Sequence, residues 1–371
     1  MTDPMPAPAR SGRHVCVVRL DNDGDVLLAG PAVRAVAAGA REVTLWHGPR
    51  GAAAAALLPG VDRLVQHRAE WIEFNAPPVE RRETMAFVDL LTALAIDEAV
   101  VLTSFHQSAL PAALLLRLAG VPAISAISED YPGSLLDVRH HVEEQLHEVE
   151  RGLSLVATFG YRLPDGDDAR LGVRRPPADE RFPAPFDGAH VPYVVVHPGA
   201  SVPARAWAPQ RNAELVDALP AEGWRVAVTG GPGERDLTAL VAGRGRSRVV
   251  DLGGRTSFAQ LADVLEGAAA VVVGNTGAAH LAAAVGTPVV SLFAPTVPAV
   301  KWRPWGVAHR LLHVDVACAG CRARECPVAG HPCLGELATS DVLQAVAELA
   351  AGTEHRDAPP AQVTLPQVVH Q

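Results

Sequence analysis

Asp25 stands in the stretch DNDGDVLL, directly after Gly24 and just beyond an apolar run, His14 to Leu20. A carboxylate in that place could take a proton from a hydroxyl, as a general base does. It could equally be a helix cap, with Gly24 supplying backbone freedom beside it. A second group lies in VVVGNTGAAHLAAAVG, where Asn275, Thr276, Gly277 and His280 gather between a strand-like run and a small-sided helix. The first N–H groups of a helix attract an anion. Gly277 lets a phosphate approach the backbone closely, and Thr276 and His280 could reach the same ligand. A lone helical histidine is often structural, but four polar or flexible residues at one strand's end point to a site.

Three further turns carry candidate chemistry. In HPGASVPARAWAP, Ala200 and Ser201 are small enough to leave N–H groups accessible, and Arg205 could grip a diphosphate with two donors. The plainer reading is a surface loop whose Trp207 fills a core edge. In TGGPGERD, Glu234 could accept ribose hydroxyls, or could simply favour a helix start through the dipole. This turn lacks the lysine of a P-loop and is not GxGxxG. In DLGGRTSFAQLADVL, Thr256 or Ser257 reads as an N-cap. Cys318, Cys321, Cys326 and Cys333 are spaced C-x2-C-x4-C-x6-C, with His331 among them. That spacing permits a structural zinc or iron–sulfur site, with free or partly paired thiols as the alternative.

The elements that must position these residues alternate along the chain. HVCVVRL, REVTLWHG, VDRLVQH, DEAVVLTSF and VPAISAIS read as strands, with helical patterns between several of them, and Val138 to Ala157 reads as one long helix. After a proline-rich stretch the alternation restarts at PYVVVHPGA and continues through WRVAVTGG, RVVDLGG, AVVVGN and PVVSLF. Such alternation predicts parallel sheets covered on both faces by helices. Ligands in such sheets sit outside the carboxyl ends of the strands, where all five turns lie. The expected organisation is a disordered arm over residues 1–12, a domain over 13–175, a linker over 176–190, a second domain over 191–350 and a disordered tail over 351–371.

Bulk properties narrow the function. With 371 residues the chain is too long for one ordinary core, so two domains are expected. A net charge of −9 gives nucleic acid no basic face to bind. The basic residues are arginines except for Lys301. MTDPMPAPARSGR has no apolar run of the secretory kind, and LPAALLLRLAGV is short and interrupted by Arg117. A cytoplasmic protein is expected, compatible with peripheral contact at the inner face of a membrane.

In this order the turns resemble glycosyltransferase family 9, the ADP-heptose heptosyltransferases. The resemblance runs over roughly residues 14–348. It rests on VVRLDNDGDVLLAGPAVRAV, VVHPGAS with RAWAPQRNAELVDAL, VTGGPGERD, and VVVGNTGAAHLAAAVGTPVVSLFAPTVPAVKWRPWG. It implies an α/β architecture of the GT-B fold: two facing Rossmann-like domains, each a doubly wound parallel sheet, with a cleft between them. It also implies inverting, metal-independent transfer of a sugar, heptose from ADP-heptose, to a glycan, lipid-linked or small-molecule hydroxyl, without a cofactor. Lipopolysaccharide is the acceptor class of the family. By the resemblance Asp25 is the base, and Ala200, Ser201, Arg205, Glu234, Thr256, Asn275, Thr276, Gly277 and His280 bind the donor. Acceptor contacts are expected at Ser104 to His106 and Ile127 to Ser134. Asn275 replaces an aspartate usual in the family, which bears on the donor sugar. A nucleotide-sugar-binding protein without catalysis and a UDP-sugar epimerase-like enzyme are the alternatives.

Overall fold

A computed structural model describes residues 12–73, 75–186 and 192–352. The expected arm, apart from Gly12, and the tail beyond residue 352 lie outside the described residues. The chain divides into two compact units between Arg174 and Arg175. Each of these residues is tied to its own unit. The Arg174 N–H donates to the Leu57 carbonyl (2.7 Å) in the first. Arg175 pairs with Asp263 and Glu266 in the second, where the Phe182 N–H also donates to Asp263 (2.9 Å).

In the first unit, β1 (His14–Arg19), β2 (Glu42–His47), β3 (Arg63–Gln66), β4 (Glu98–Val101), β5 (Ala123–Ile127) and β6 (Val138–His140) form one parallel sheet, ordered β3-β2-β1-β4-β5-β6. The helices are α1 (Asp23–Leu28), α2 (Gly30–Gly39), α3 (Ala52–Ala55), α4 (Arg81–Ala93), α5 (Leu110–Leu118) and α6 (Glu148–Val156). Between His14 and Arg19 β1 is apolar, Val15 to Val18, because both its faces are covered. Cys16 and Val18 join Phe87 and Leu91 of α4 and Leu115 and Leu116 of α5 in one core. Val15 and Val17 point the other way by strand alternation and are fully buried too.

Two local expectations are corrected. The DGD segment is not loop: Asp23, Gly24 and Asp25 open α1, and Gly24 is helical, so no unusual backbone angle explains it. The long helix expected from Val138 to Ala157 is a strand, a loop and a shorter helix. Val138–His140 extends the sheet in register with Ser125–Ile127. The helix begins only where His147 caps it, its Nδ1 accepting from the Val149 N–H while Glu150 accepts from the His147 N–H.

In the second unit, β7 (Tyr193–His197), β8 (Arg225–Val228), β9 (Val249–Asp251), β10 (Ala270–Gly274), β11 (Val289–Leu292) and β12 (His309–Leu312) form a parallel sheet ordered β12-β11-β10-β7-β8-β9. Its helices are α7 (Pro209–Ala218), α8 (Arg235–Ala242), α9 (Phe258–Glu266), α10 (Gly277–Ala284), α11 (Ala299–Trp302), α12 (Pro332–Gly335) and α13 (Thr339–Ala350). Leu215 and Val216 of α7, Val241 of α8 and Val342 and Val346 of α13 pack with Val194, Val226, Val272 and Val290 of the strands. In each unit the first strand lies beside the fourth, and chain order reverses between them. That reversal is where open α/β sheets bind ligands. Among the described residues no helix is long and apolar enough to cross a membrane.

Candidate functional site

At the reversal in the first unit, β1 ends in a buried arginine. Arg19 reaches three carboxylates: Nε to Asp21 (3.0 Å), Nη2 to Asp25 (3.0 Å) and Nη1 to Glu148 (3.3 Å). Nη2 also donates to the Ser104 hydroxyl (3.0 Å), which follows β4, and Gln107 donates to Asp21. Arg151 meets Glu148 from the next turn of α6 (3.1 Å). Burial alone would lower the Arg19 pKa, but Asp21, Asp25 and Glu148 together outweigh it and raise it. Burial raises Asp21 and Glu148, against the pull of Arg19. Of the three carboxylates Asp25 is the most exposed, its side chain 17% accessible against 7% and 2%. Asp25 is therefore the member best placed to meet a substrate, with one oxygen already held by Arg19. A small cavity, with room for about one water, lies among Arg19, Leu102, Thr103, Glu148 and Arg151.

Sequence reading placed Asp25 correctly after β1 but missed Arg19, Asp21, Glu148 and Arg151. The available signal was a charge closing an otherwise apolar strand. Ser104, expected to face an acceptor, is buried and turned into this cluster instead.

The second unit brings its expected residues onto one rim. The 199–205 loop follows β7, Glu234 follows β8, Thr256 follows β9 and the Asn275–Gly277 turn follows β10. Neighbouring turns touch through glycines. A Cβ on Gly274 would lie 2.7 Å from the Arg205 carbonyl oxygen, so only glycine admits the Arg205 loop against the β10 turn. A Cβ on Gly199 would lie 1.9 Å from a Glu234 carboxylate oxygen, so that carboxylate rests on the HPGAS loop. Glu234 also accepts from the Gly231 N–H (2.7 Å). The Gly254 N–H donates to the Gly230 carbonyl (2.9 Å), which lays the Thr256 loop beside the Glu234 turn. The α9 cap is Ser257, whose hydroxyl accepts from the Gln260 N–H, so Thr256 is left to other contacts. Trp207 is buried in the core, as its plainer reading held, while Arg205 beside it stays half-buried at the rim.

At the β10 turn Asn275 and His280 are buried, and Thr276 occupies the N-cap position of α10 without capping it. The Thr276 hydroxyl is buried and has no hydrogen-bond partner among the described residues. A buried hydroxyl at a helix start, beside the arginine loop, is an arrangement that an anionic ligand completes. His197, not singled out from sequence, bonds Thr229 (3.0 Å) beneath this rim; burial lowers its pKa, with Glu234 opposing.

The four cysteines are free thiols, with Cys318 and Cys321 exposed, Cys326 half-buried and Cys333 buried. Burial and then the neighbouring thiols raise the Cys333 pKa. Among the described residues no group of three or more histidine, cysteine or acidic side chains is arranged to hold a metal.

The model of glycosyltransferase family 9 (heptosyltransferase) matches residues 96–331. The chain belongs to glycosyltransferase family 9. It is 32% identical over 163 residues to lipopolysaccharide heptosyltransferase 3 of Escherichia coli, a match over 42% of this chain and 47% of that protein. This family 9 chain thus spans about half the length of that relative. Against lipopolysaccharide heptosyltransferase 1 of Salmonella typhimurium it is 28% identical over 310 residues, 77% of this chain and 89% of the relative. The solved structure of the E. coli heptosyltransferase WaaC with ADP shares its fold, with a TM-score of 0.65 and 21% identity over 91% of this chain and 99% of that one. The two helix-flanked parallel sheets are those of the GT-B fold.

Proposed function

We propose that this protein is an inverting glycosyltransferase that takes a sugar, heptose, from a nucleoside diphosphate donor, ADP-heptose. The acceptor is a hydroxyl of a glycan, a lipid-linked sugar or a small molecule, met in the cytoplasm or at the inner face of a membrane. The observation that carries this reading is the meeting of the Arg205 loop with the β10 turn, where the unpartnered Thr276 hydroxyl and the start of α10 lie together.

Asp25 takes the proton of the acceptor hydroxyl as its oxygen bonds to the anomeric carbon from the face opposite the leaving group. The bond from that carbon to the diphosphate breaks in the same step, so the configuration inverts. The guanidinium of Arg205 and the first N–H groups of α10 receive the negative charge that collects on the diphosphate, which lets transfer proceed without a metal. Glu234 and Thr256 hold the nucleoside, and Asn275, Gly277 and His280 line the diphosphate and sugar end. Ala200 and Ser201 keep the phosphate-facing loop small. Arg19 fixes one oxygen of Asp25, so the base is oriented before the acceptor arrives.

Replacing Asp25 by Asn separates transfer from binding. Affinity for ADP should stay within about twofold, while turnover of ADP-heptose falls about 10²–10⁴-fold. Unchanged turnover would remove Asp25 from the mechanism.

A further inference from the structure

A strap crosses the rim of the second unit. Beyond β12 the chain passes through the cysteine-bearing segment into α12 and bonds to loops on both sides of the β10 turn. On the β11 side, the Gly320 N–H donates to the Pro295 carbonyl (2.7 Å) and the Arg322 N–H to the Thr296 carbonyl (2.9 Å). On the β7 side, the Ala204 N–H donates to the Arg324 carbonyl (2.8 Å) and His331 Nε2 donates to the Ala204 carbonyl (3.1 Å). Trp207 Nε1 adds a bond to the Leu334 carbonyl (3.0 Å). Because β10 lies between β11 and β7, the two attachments flank Asn275–Gly277.

Ala204 is thereby held at its N–H and at its C=O, and that C=O belongs to the peptide bond leading into Arg205. The strap keeps two non-glycine residues in left-handed backbone, Arg322 (φ 54°) and His331 (φ 49°). Such conformations persist where surrounding structure over-determines them. In His331 that conformation accompanies a side chain bonded to the loop that carries Arg205.

We infer that His331 is a positioning residue for Arg205: its Nε2–H pins the Ala204 carbonyl and so aims the guanidinium at the diphosphate of a bound nucleotide. This rests on the reading of Arg205 as a diphosphate ligand. Arg322 and Arg324 hold the neighbouring loops by backbone bonds, and His331 holds Ala204 by its side chain, so substitution at His331 tests the strap at the Arg205 loop.

Calorimetric titration of the full chain with ADP tests the inference, using His331→Leu, His331→Asn and His331→Gln, with thermal melting as the check on folding. Leucine removes the donor, asparagine is too short to reach, and glutamine places an amide N–H where Nε2 stood. Leucine and asparagine should each weaken ADP binding about fivefold, the worth of one hydrogen bond, and glutamine should restore it to within about twofold. If the leucine variant fails to fold, the asparagine and glutamine pair carries the same comparison. Wild-type affinity in the variants that lack the bond, or no recovery with glutamine, overturns the positioning role while leaving the nucleotide reading intact. Absence of ADP binding by the wild-type chain overturns that reading, and the positioning role with it.

Discussion

Asp25 shares one arginine with two deeper carboxylates, and that sharing is what distinguishes it from a helix-capping aspartate. Arg19 gives a separate nitrogen to each of Asp21, Asp25 and Glu148, so removing it would strand buried charge as well as release the base. Beyond the charge that closes β1, the three-way pairing was not legible in one dimension. Glu148 lies far along the chain from Arg19, and its i,i+3 partner Arg151 makes it look like an ordinary surface pair. The place of Asp25, just beyond an apolar strand, was legible. His197 supplies a test of the second rim at the same scale. Burial lowers its pKa from the ordinary 6.5, so the unfolded chain binds a proton that the folded chain refuses. Stability should therefore be full well above the ordinary histidine value and fall as the pH drops through and below it. Melting curves of the wild type and His197→Gln across that range check this. The variant should lose part of the fall, with His67 and His140, also lowered by burial, accounting for the rest. Superimposable pH profiles would show that His197 is not held neutral.

At the scale of elements, the turns work because glycines let them touch. Gly274 ends β10 under the Arg205 carbonyl, and Gly199 lies under the Glu234 carboxylate. The sequence showed these glycines only as turn-formers; which backbone or side chain each admits appears once the strands are side by side. The strands after which the turns fall were legible from their apolar runs and punctuation. The region after β5 was not. Val138–His140 carries too short a pattern to distinguish strand from helix, and pairing with β5 decides it. Gly274→Ala tests the contact between turns. Its Cβ would meet a backbone carbonyl, which cannot swing aside like a side chain, so the Arg205 loop must shift. Such overpacking should cost about 1–3 kcal/mol of stability, measurable by denaturant titration, and the displaced loop should weaken ADP binding by more than threefold. A stability loss with unchanged ADP affinity would show that the two turns bind nothing in common.

Across the whole molecule, the two units repeat one strand order and place their polar clusters at the same topological point, where the first strand meets the fourth. Their chemistry differs. The first unit offers a carboxylate oriented by a buried arginine, and the second offers an arginine, a helix start and a carboxylate over small residues. The first suits proton abstraction from an acceptor and the second suits a nucleoside diphosphate. Substitutions should divide accordingly, with Asp25 governing turnover and Arg205 governing donor affinity. The most direct measurement is calorimetric titration of the full chain with ADP, UDP and GDP, repeated with Arg205→Ala. The expected result is preferential ADP binding, weakened about 10–100-fold in the variant, as befits loss of a charge-assisted contact. Preference for UDP or GDP would contradict ADP-heptose as donor, and no binding of any of the three would contradict the nucleotide-sugar transferase itself.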